Sequence, residues 1–181
     1  MGFQENIVLV GLMGSGKSSV GRALCKKAGW KRIDTDRWIE ETTGCTISEI
    51  FNLKGEEEFR RWECMAVNEV CRATRTIIST GGGTIENERN RQKLWSVGTV
   101  FYLQASVPVL FKRVQKKTTR PLLQKADPVE VLENLLERRR HFYQQAHYTI
   151  DVDHLKINEI ANEIWKLYTR NSGRSSSSVG V

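Results

Sequence analysis

The chain has 181 residues, enough for one domain with a substantial core and too few for two full domains. Lysine and arginine number 28 against 21 acids, a formal net charge of +7, which points to an anionic partner: nucleic acid, an acidic surface or an anionic small molecule. No basic block is interleaved with aromatics as in a nucleic-acid platform. No apolar run reaches bilayer length or reads as a signal peptide, so a cytoplasmic protein without nucleic-acid or membrane partners is expected.

The apolar run Ile7 to Val10 predicts a first strand that leads directly into G-x-x-x-x-G-K-S at residues 11–18. In that pattern the glycines let successive backbone N–H groups face phosphates, Lys17 reaches the β and γ oxygens, and Ser18 offers a hydroxyl to Mg²⁺. Val20, Leu24 and Ala28 follow at helical spacing, so a helix N-terminus faces the same anion. Gly14, Ser15, Gly16, Lys17, Ser18 and Ser19 are therefore the nucleotide-binding candidates.

A second strand over Arg32 to Asp34 ends in Asp34-Thr35-Asp36. Alternation along a strand would turn both carboxylates toward one crevice at the sheet's carboxyl end, one serving Mg²⁺ and the other a substrate hydroxyl. A helix N-cap from Asp36 is the plainer alternative. Thr46-Ile47-Ser48-Glu49 reads as a capping box, and in the helix that follows Arg60 and Glu63 of FRRWE share a face and can pair. The cysteines at 25, 45, 64 and 71 lack C-x-x-C spacing, with Cys64 and Cys71 on one helical face, and are expected to be buried free thiols in a reducing compartment.

The third strand, Thr76 to Ser79, runs into Gly81-Gly82-Gly83, which permits close backbone approach to a ligand or simply a flexible turn. Phosphate-loop enzymes usually place a metal-supporting acid near here, but this strand supplies Ser79 and Thr80, so Asp34 is the better candidate. A helix is expected near Asn87 to Trp95, a fourth strand at Thr99 to Leu103, and helices opened by Ser106 with Pro108 and by Asp127 with Pro128. Between the last two lies QKKTTRPLL, a basic, non-periodic stretch that reads as a lid at about residues 114–123. Arg139 borders the apolar stripe of its helix and must find an anion, whereas Arg138 and Arg140 read as solvated. The strand Tyr148 to Val152 and a helix carrying Ile157, Ile160, Ala161, Ile164 and Leu167 close one α/β domain over residues 1–170. Residues 171–181, Ser-rich, read as a disordered tail, and His141, His147 and His154 read as exposed loop residues without chemistry.

Taken together and in order, the phosphate loop, DTD, FRRWE, GGG, RPLL and ERRRHFY, spread over residues 11–143, resemble the shikimate kinase family. The resemblance implies a nucleoside-monophosphate-kinase-like P-loop NTPase fold with five parallel strands and helices on both faces. It also implies transfer of the ATP γ-phosphate to the 3-hydroxyl of shikimate, within aromatic amino-acid synthesis, by a monomer. Carried over to this sequence, it makes Asp36 the acid that holds the shikimate hydroxyls and Asp34 the acid behind Mg²⁺. Arg60 and Arg139 become the pair on the shikimate carboxylate, Gly81, Gly82 and Gly83 the pocket wall, and Glu63 the residue orienting the site. Arg120 becomes the lid arginine that meets the phosphates, and Arg113 a flank for adenine. Lys17, Asp36 and Arg120 are the catalytic candidates. One departure is Asp151-Val152-Asp153-His154, which offers acids where the family often has a basic residue and leaves the adenine contact there unassigned. A kinase for another polyol acid such as gluconate, or a silent module that only binds nucleotide or a partner, are the competing readings.

Overall fold

The structure is a computed structural model describing residues 5–115 and 127–174. Five strands, β1 (Asn6–Val10), β2 (Lys31–Asp34), β3 (Thr76–Ser79), β4 (Gly98–Gln104) and β5 (Tyr148–Asp151), form one parallel sheet in the order β2-β3-β1-β4-β5. Each strand lies within a residue of its sequence expectation at either end. The central strands are buried except at Gln104, with Ile7 to Val10, Ile77, Ile78 and Val100 to Leu103 in the core. Burial on both faces is why these strands read as continuous apolar runs.

Among the described residues there are seven α-helices: α1 (Lys17–Ala28), α2 (Thr35–Thr43), α3 (Ile47–Val70), α4 (Glu88–Val97), α5 (Val107–Val114), α6 (Pro128–Tyr143) and α7 (Ile157–Arg174). α7 lies on α1, and its buried stripe is Ile160, Ala161, Ile164 and Tyr168, while Ile157 is exposed. Leu167, expected on the stripe, is half-buried against the core, and Tyr168 joins it there, meeting Trp30 edge-on as Trp165 does. The helix runs on to Arg174, into the stretch read as tail. The expected lid, apart from residues 114 and 115, falls outside the described residues together with Arg120 and residues 175–181.

Local signals act largely as read. At Thr46 the capping box is complete, with Thr46 Oγ1 accepting from the Glu49 N–H and the Thr46 N–H donating to Glu49 Oε2 at 2.7 Å. Asp127 caps α6 by accepting from the Val129 N–H. Ser106 instead opens α5 without a side-chain cap bond, and its N–H donates to Asp153 Oδ1 at 2.9 Å. A second apolar cluster of Ile39, Ile50, Phe59 and Ala66, flanked by Trp38 and Trp62, packs α2 against α3. α3 breaks at Gly55, whose φ of 81° with ψ of 175° is open to glycine at little cost and separates the capped first turns from the segment carrying Arg60 and Glu63. All four cysteines are free, as expected, but each is only half-buried.

Candidate active site

The carboxyl ends of β1, β2 and β3 lie along one edge of the parallel sheet, and the candidate residues of the described chain sit at these ends or on the loops and helices that follow them, apart from Arg113 on α5 and Arg139 on α6. After β1, Gly14 (φ 83°) and Gly16 (φ 97°) adopt left-handed backbone that side chains resist, and the loop curls so that the Ser15 N–H donates to Leu12 O. Gly16 is the N-cap of α1, so its first-turn N–H groups and the positive end of its dipole face the loop's concavity. Lys17 Nζ folds across the loop, donating to Gly11 O at 2.6 Å and Leu12 O at 3.0 Å. Ser15 Oγ is buried and has no hydrogen-bond partner among the described residues, which leaves it as a donor for an anion held by the loop.

Ser18 Oγ donates to Asp34 Oδ2 at 2.9 Å, and Arg32 Nη1 reaches the same oxygen at 3.1 Å. Asp34 and Asp36 do not project together from one strand, as alternation predicts. β2 ends at Asp34 and α2 begins at Thr35, so the chain turns and Asp36 sits in the first helical turn on the glycine side of the crevice. A hydroxyl and a carboxylate at this separation are hard oxygen ligands of the kind Mg²⁺ takes while keeping most of its waters.

The glycine triplet forms the opposite wall. A methyl group placed on Gly81 would lie 2.6 Å from Asp36 Oδ1 and 3.1 Å from Glu63 Oε1, and one on Gly83 would lie 2.8 Å from Arg60 Nη1 and 3.0 Å from Arg139 Nη2. A methyl group placed on Gly82 would lie 3.5 Å from Arg139 Nη1 and 3.6 Å from the Met13 backbone nitrogen, so the triplet, the arginine and the phosphate loop meet at this position. Close approach is thus what Gly81 and Gly83 require, while a methyl on Gly82 would meet its neighbours at ordinary contact distance. The Gly81 N–H donates to Thr35 Oγ1 and the Tyr143 hydroxyl to Gly82 O at 2.6 Å, which fixes the wall from two sides. Burial pushes the Tyr143 hydroxyl far above its ordinary pKa and keeps it a donor.

Glu63 is 1% exposed and accepts from Arg60 Nη1 at 2.7 Å and from Thr84 Oγ1 at 2.7 Å. Arg60 is held also by Glu56, at 2.9 Å from Nη2. Burial works against its charge, but Glu63 and Glu56 outweigh this and raise the guanidinium above its ordinary pKa. Arg139, 4% exposed, finds the anion its position demands in Glu86, with Nε to Oε1 at 2.7 Å. Neither Glu86 nor Thr84 stood out in the sequence. Both lie in a single 3₁₀ turn (Thr84–Glu86), too short for periodicity to reveal, although its place directly after the triplet is a usable signal. Arg138, expected to be solvated, is exposed but also binds Glu86. Arg113 reaches Val152 O at 3.1 Å and Gly14 O at 3.5 Å, joining the phosphate loop to the segment after β5.

A parallel five-stranded sheet, a phosphate loop after β1 and a neighbouring pocket lined by two arginines and two carboxylates define a phosphate-loop kinase of an anionic small molecule. Residues 13–169 match the model of the shikimate kinase family, and the chain belongs to that family. The shikimate kinase of Thermodesulfovibrio yellowstonii is 42% identical over 166 residues, covering 92% of this chain and 96% of that protein. Among solved structures, shikimate kinase from Acinetobacter baumannii in complex with shikimate is 39% identical with a TM-score of 0.89, over 92% of this chain and 94% of the other. Shikimate kinase from Bacteroides thetaiotaomicron is 32% identical with a TM-score of 0.83, over 92% and 98% respectively.

Proposed function

We propose that the chain transfers the γ-phosphoryl group of ATP to the 3-hydroxyl of shikimate, giving shikimate 3-phosphate and ADP in aromatic amino-acid synthesis. The observation that carries this reading is the convergence of Arg60 and Arg139 on Gly83, with Asp36 and Glu63 gathered at Gly81 beside it. A carboxylate on a polyol ring matches that pairing: two planar guanidinium groups suit the carboxylate, and an acceptor-only carboxylate suits the hydroxyls.

Phosphoryl transfer asks the protein for positioning and charge compensation. The backbone N–H groups of Gly14 to Ser19 cradle the phosphates. Lys17 exchanges its loop carbonyls for phosphate oxygens, and Arg120, outside the described residues, adds charge above the γ-phosphate. Asp36 orients the 3-hydroxyl for in-line attack and takes its proton, while Glu63 holds Arg60 on the carboxylate. Ser18 and Asp34 would hold Mg²⁺, which when bound neutralises charge shared between the phosphates. Arg113 flanks the adenine. The reading is of a monomer acting in the cytoplasm without a nucleic-acid partner; no helix among the described residues is long and apolar enough to cross a membrane.

ADP release measured by a coupled assay with Mg-ATP should depend on shikimate and be absent with gluconate. A lack of shikimate-dependent turnover overturns the reading, and turnover on gluconate alone would transfer it to another polyol acid.

A further inference from the structure

Glu86 is bound on both sides. From the exposed side Arg138 forks onto it, Nε to Oε2 at 3.1 Å and Nη2 to Oε1 at 3.2 Å, and from the buried side Arg139 Nε donates to Oε1 at 2.7 Å. Arg139 uses only its Nε on this carboxylate; its two terminal nitrogens lie against the glycine wall, Nη1 3.5 Å from a methyl position on Gly82 and Nη2 3.0 Å from one on Gly83. A guanidinium has a rigid fork, so engaging Nε fixes the plane and direction of the Nη pair. We propose that Glu86, itself clamped by Arg138, is a positioning residue that aims the Nη edge of Arg139 at the acceptor's carboxylate. This rests on the functional reading above.

Two opposed effects of Glu86 give the inference its test. Its negative charge, close to the carboxylate pocket, disfavours an anionic acceptor, so a residue acting through charge alone would bind shikimate better once neutralised. Orientation acts the other way, because a freed Arg139 must be ordered again whenever the acceptor binds. The structure favours orientation, since Arg139 already neutralises much of the charge at 2.7 Å.

Shikimate and ATP KM, kcat and thermal midpoint should be measured for the full chain, for Glu86→Ala and for Glu86→Gln, with the primary amide of shikimate as a second acceptor. In Glu86→Ala the shikimate KM should rise about tenfold, the scale of one charge-assisted hydrogen bond, with the ATP KM unchanged. Glu86→Gln keeps one acceptor oxygen but turns an amide N–H₂ toward Arg138, so its shikimate KM should rise about threefold; it carries the test if the alanine variant does not fold. The preference for acid over amide should shrink in parallel, which a general loosening of the fold would not produce. An unchanged or lowered shikimate KM in a folded variant, or an equal rise in the ATP KM, overturns the inference while the functional reading stands. Absence of shikimate turnover by the parent chain overturns both.

Discussion

At the scale of single residues, the site keeps its charges compensated before any ligand arrives, and this decides what each substitution does. Lys17 is parked on Gly11 O and Leu12 O, bonds that phosphate oxygens would replace. Lys17→Ala should therefore fold normally and lower kcat by at least about a hundredfold, as removal of a transition-state charge partner does; single-turnover kinetics with saturating shikimate will read this, and a kcat near the parent's would deny Lys17 the role. Arg139→Ala tests the acceptor side. It leaves Glu86 still paired with Arg138, so no buried charge is stranded and the thermal midpoint should hold. Shikimate KM should rise about ten- to a hundredfold, the range for hydrogen bonds to a charged group, with ATP affinity spared. Parallel loss of both affinities by calorimetry would assign Arg139 to the nucleotide side or to the fold.

At the scale of elements, the segment after β3 shows how a backbone is used as a pocket wall. Gly83 has φ −96° and ψ −7°, a conformation any residue accepts, so alanine there strains no backbone and meets only the tips of Arg60 and Arg139. Gly83→Ala should unfold at the parent's temperature yet raise shikimate KM about tenfold by taking space the carboxylate needs, a cost typical of overpacking by one methyl; a drop in thermal midpoint with unchanged KM would mean the wall is only structural. The central strands were legible because a parallel sheet buried on both faces leaves unbroken apolar runs, whereas the edge strands β2 and β5, half-exposed and partly polar, were marked only by their place between helices; Thr46 announced its helix through Glu49. Less legible were contacts set by where one element gives way to the next. Extending strand alternation from Asp34 to Asp36 misplaces Asp36, because α2 starts at Thr35 with Asp34, and not Asp36, at its N-cap position, and a 3₁₀ turn has no period to reveal Glu86. The pairing of Arg60 with Glu63 was visible at helical spacing, but their convergence with Arg139 needs β3, α3 and α6 to be brought to one edge.

For the whole molecule, groups whose proton affinity changes on folding shape the pH range of greatest stability, and the signs follow from which state holds the proton. The exposed His147 takes the Val100 N–H on Nδ1 at 2.9 Å, tying the entry of β5 to β4, and burial of part of its ring lowers its pKa from 6.5. Below pH 6.5 the unfolded chain binds a proton there before the native chain does, so this contribution is present above 6.5 and is lost as pH falls through the lowered native value. Burial pushes the Cys71 thiol the other way, from 9.0 up to about 11, and the Tyr143 hydroxyl is pushed up further. Above pH 9.0 the unfolded thiol ionises while the native one keeps its proton, so stability falls between 9.0 and about 11. The native state should therefore be most stable between those windows, and urea midpoints from pH 5 to 11 will trace it. The formal charge of +7 grows on acidification and adds repulsion that every variant shares, so differences from the parent isolate single groups. His147→Gln offers the Val100 N–H an acceptor that does not titrate, and its midpoint should drop less than the parent's below pH 6.5. Cys71→Ala should be less stable at neutral pH and lose less above pH 9.0. Difference curves that stay flat across both windows would show that neither group couples its proton to folding.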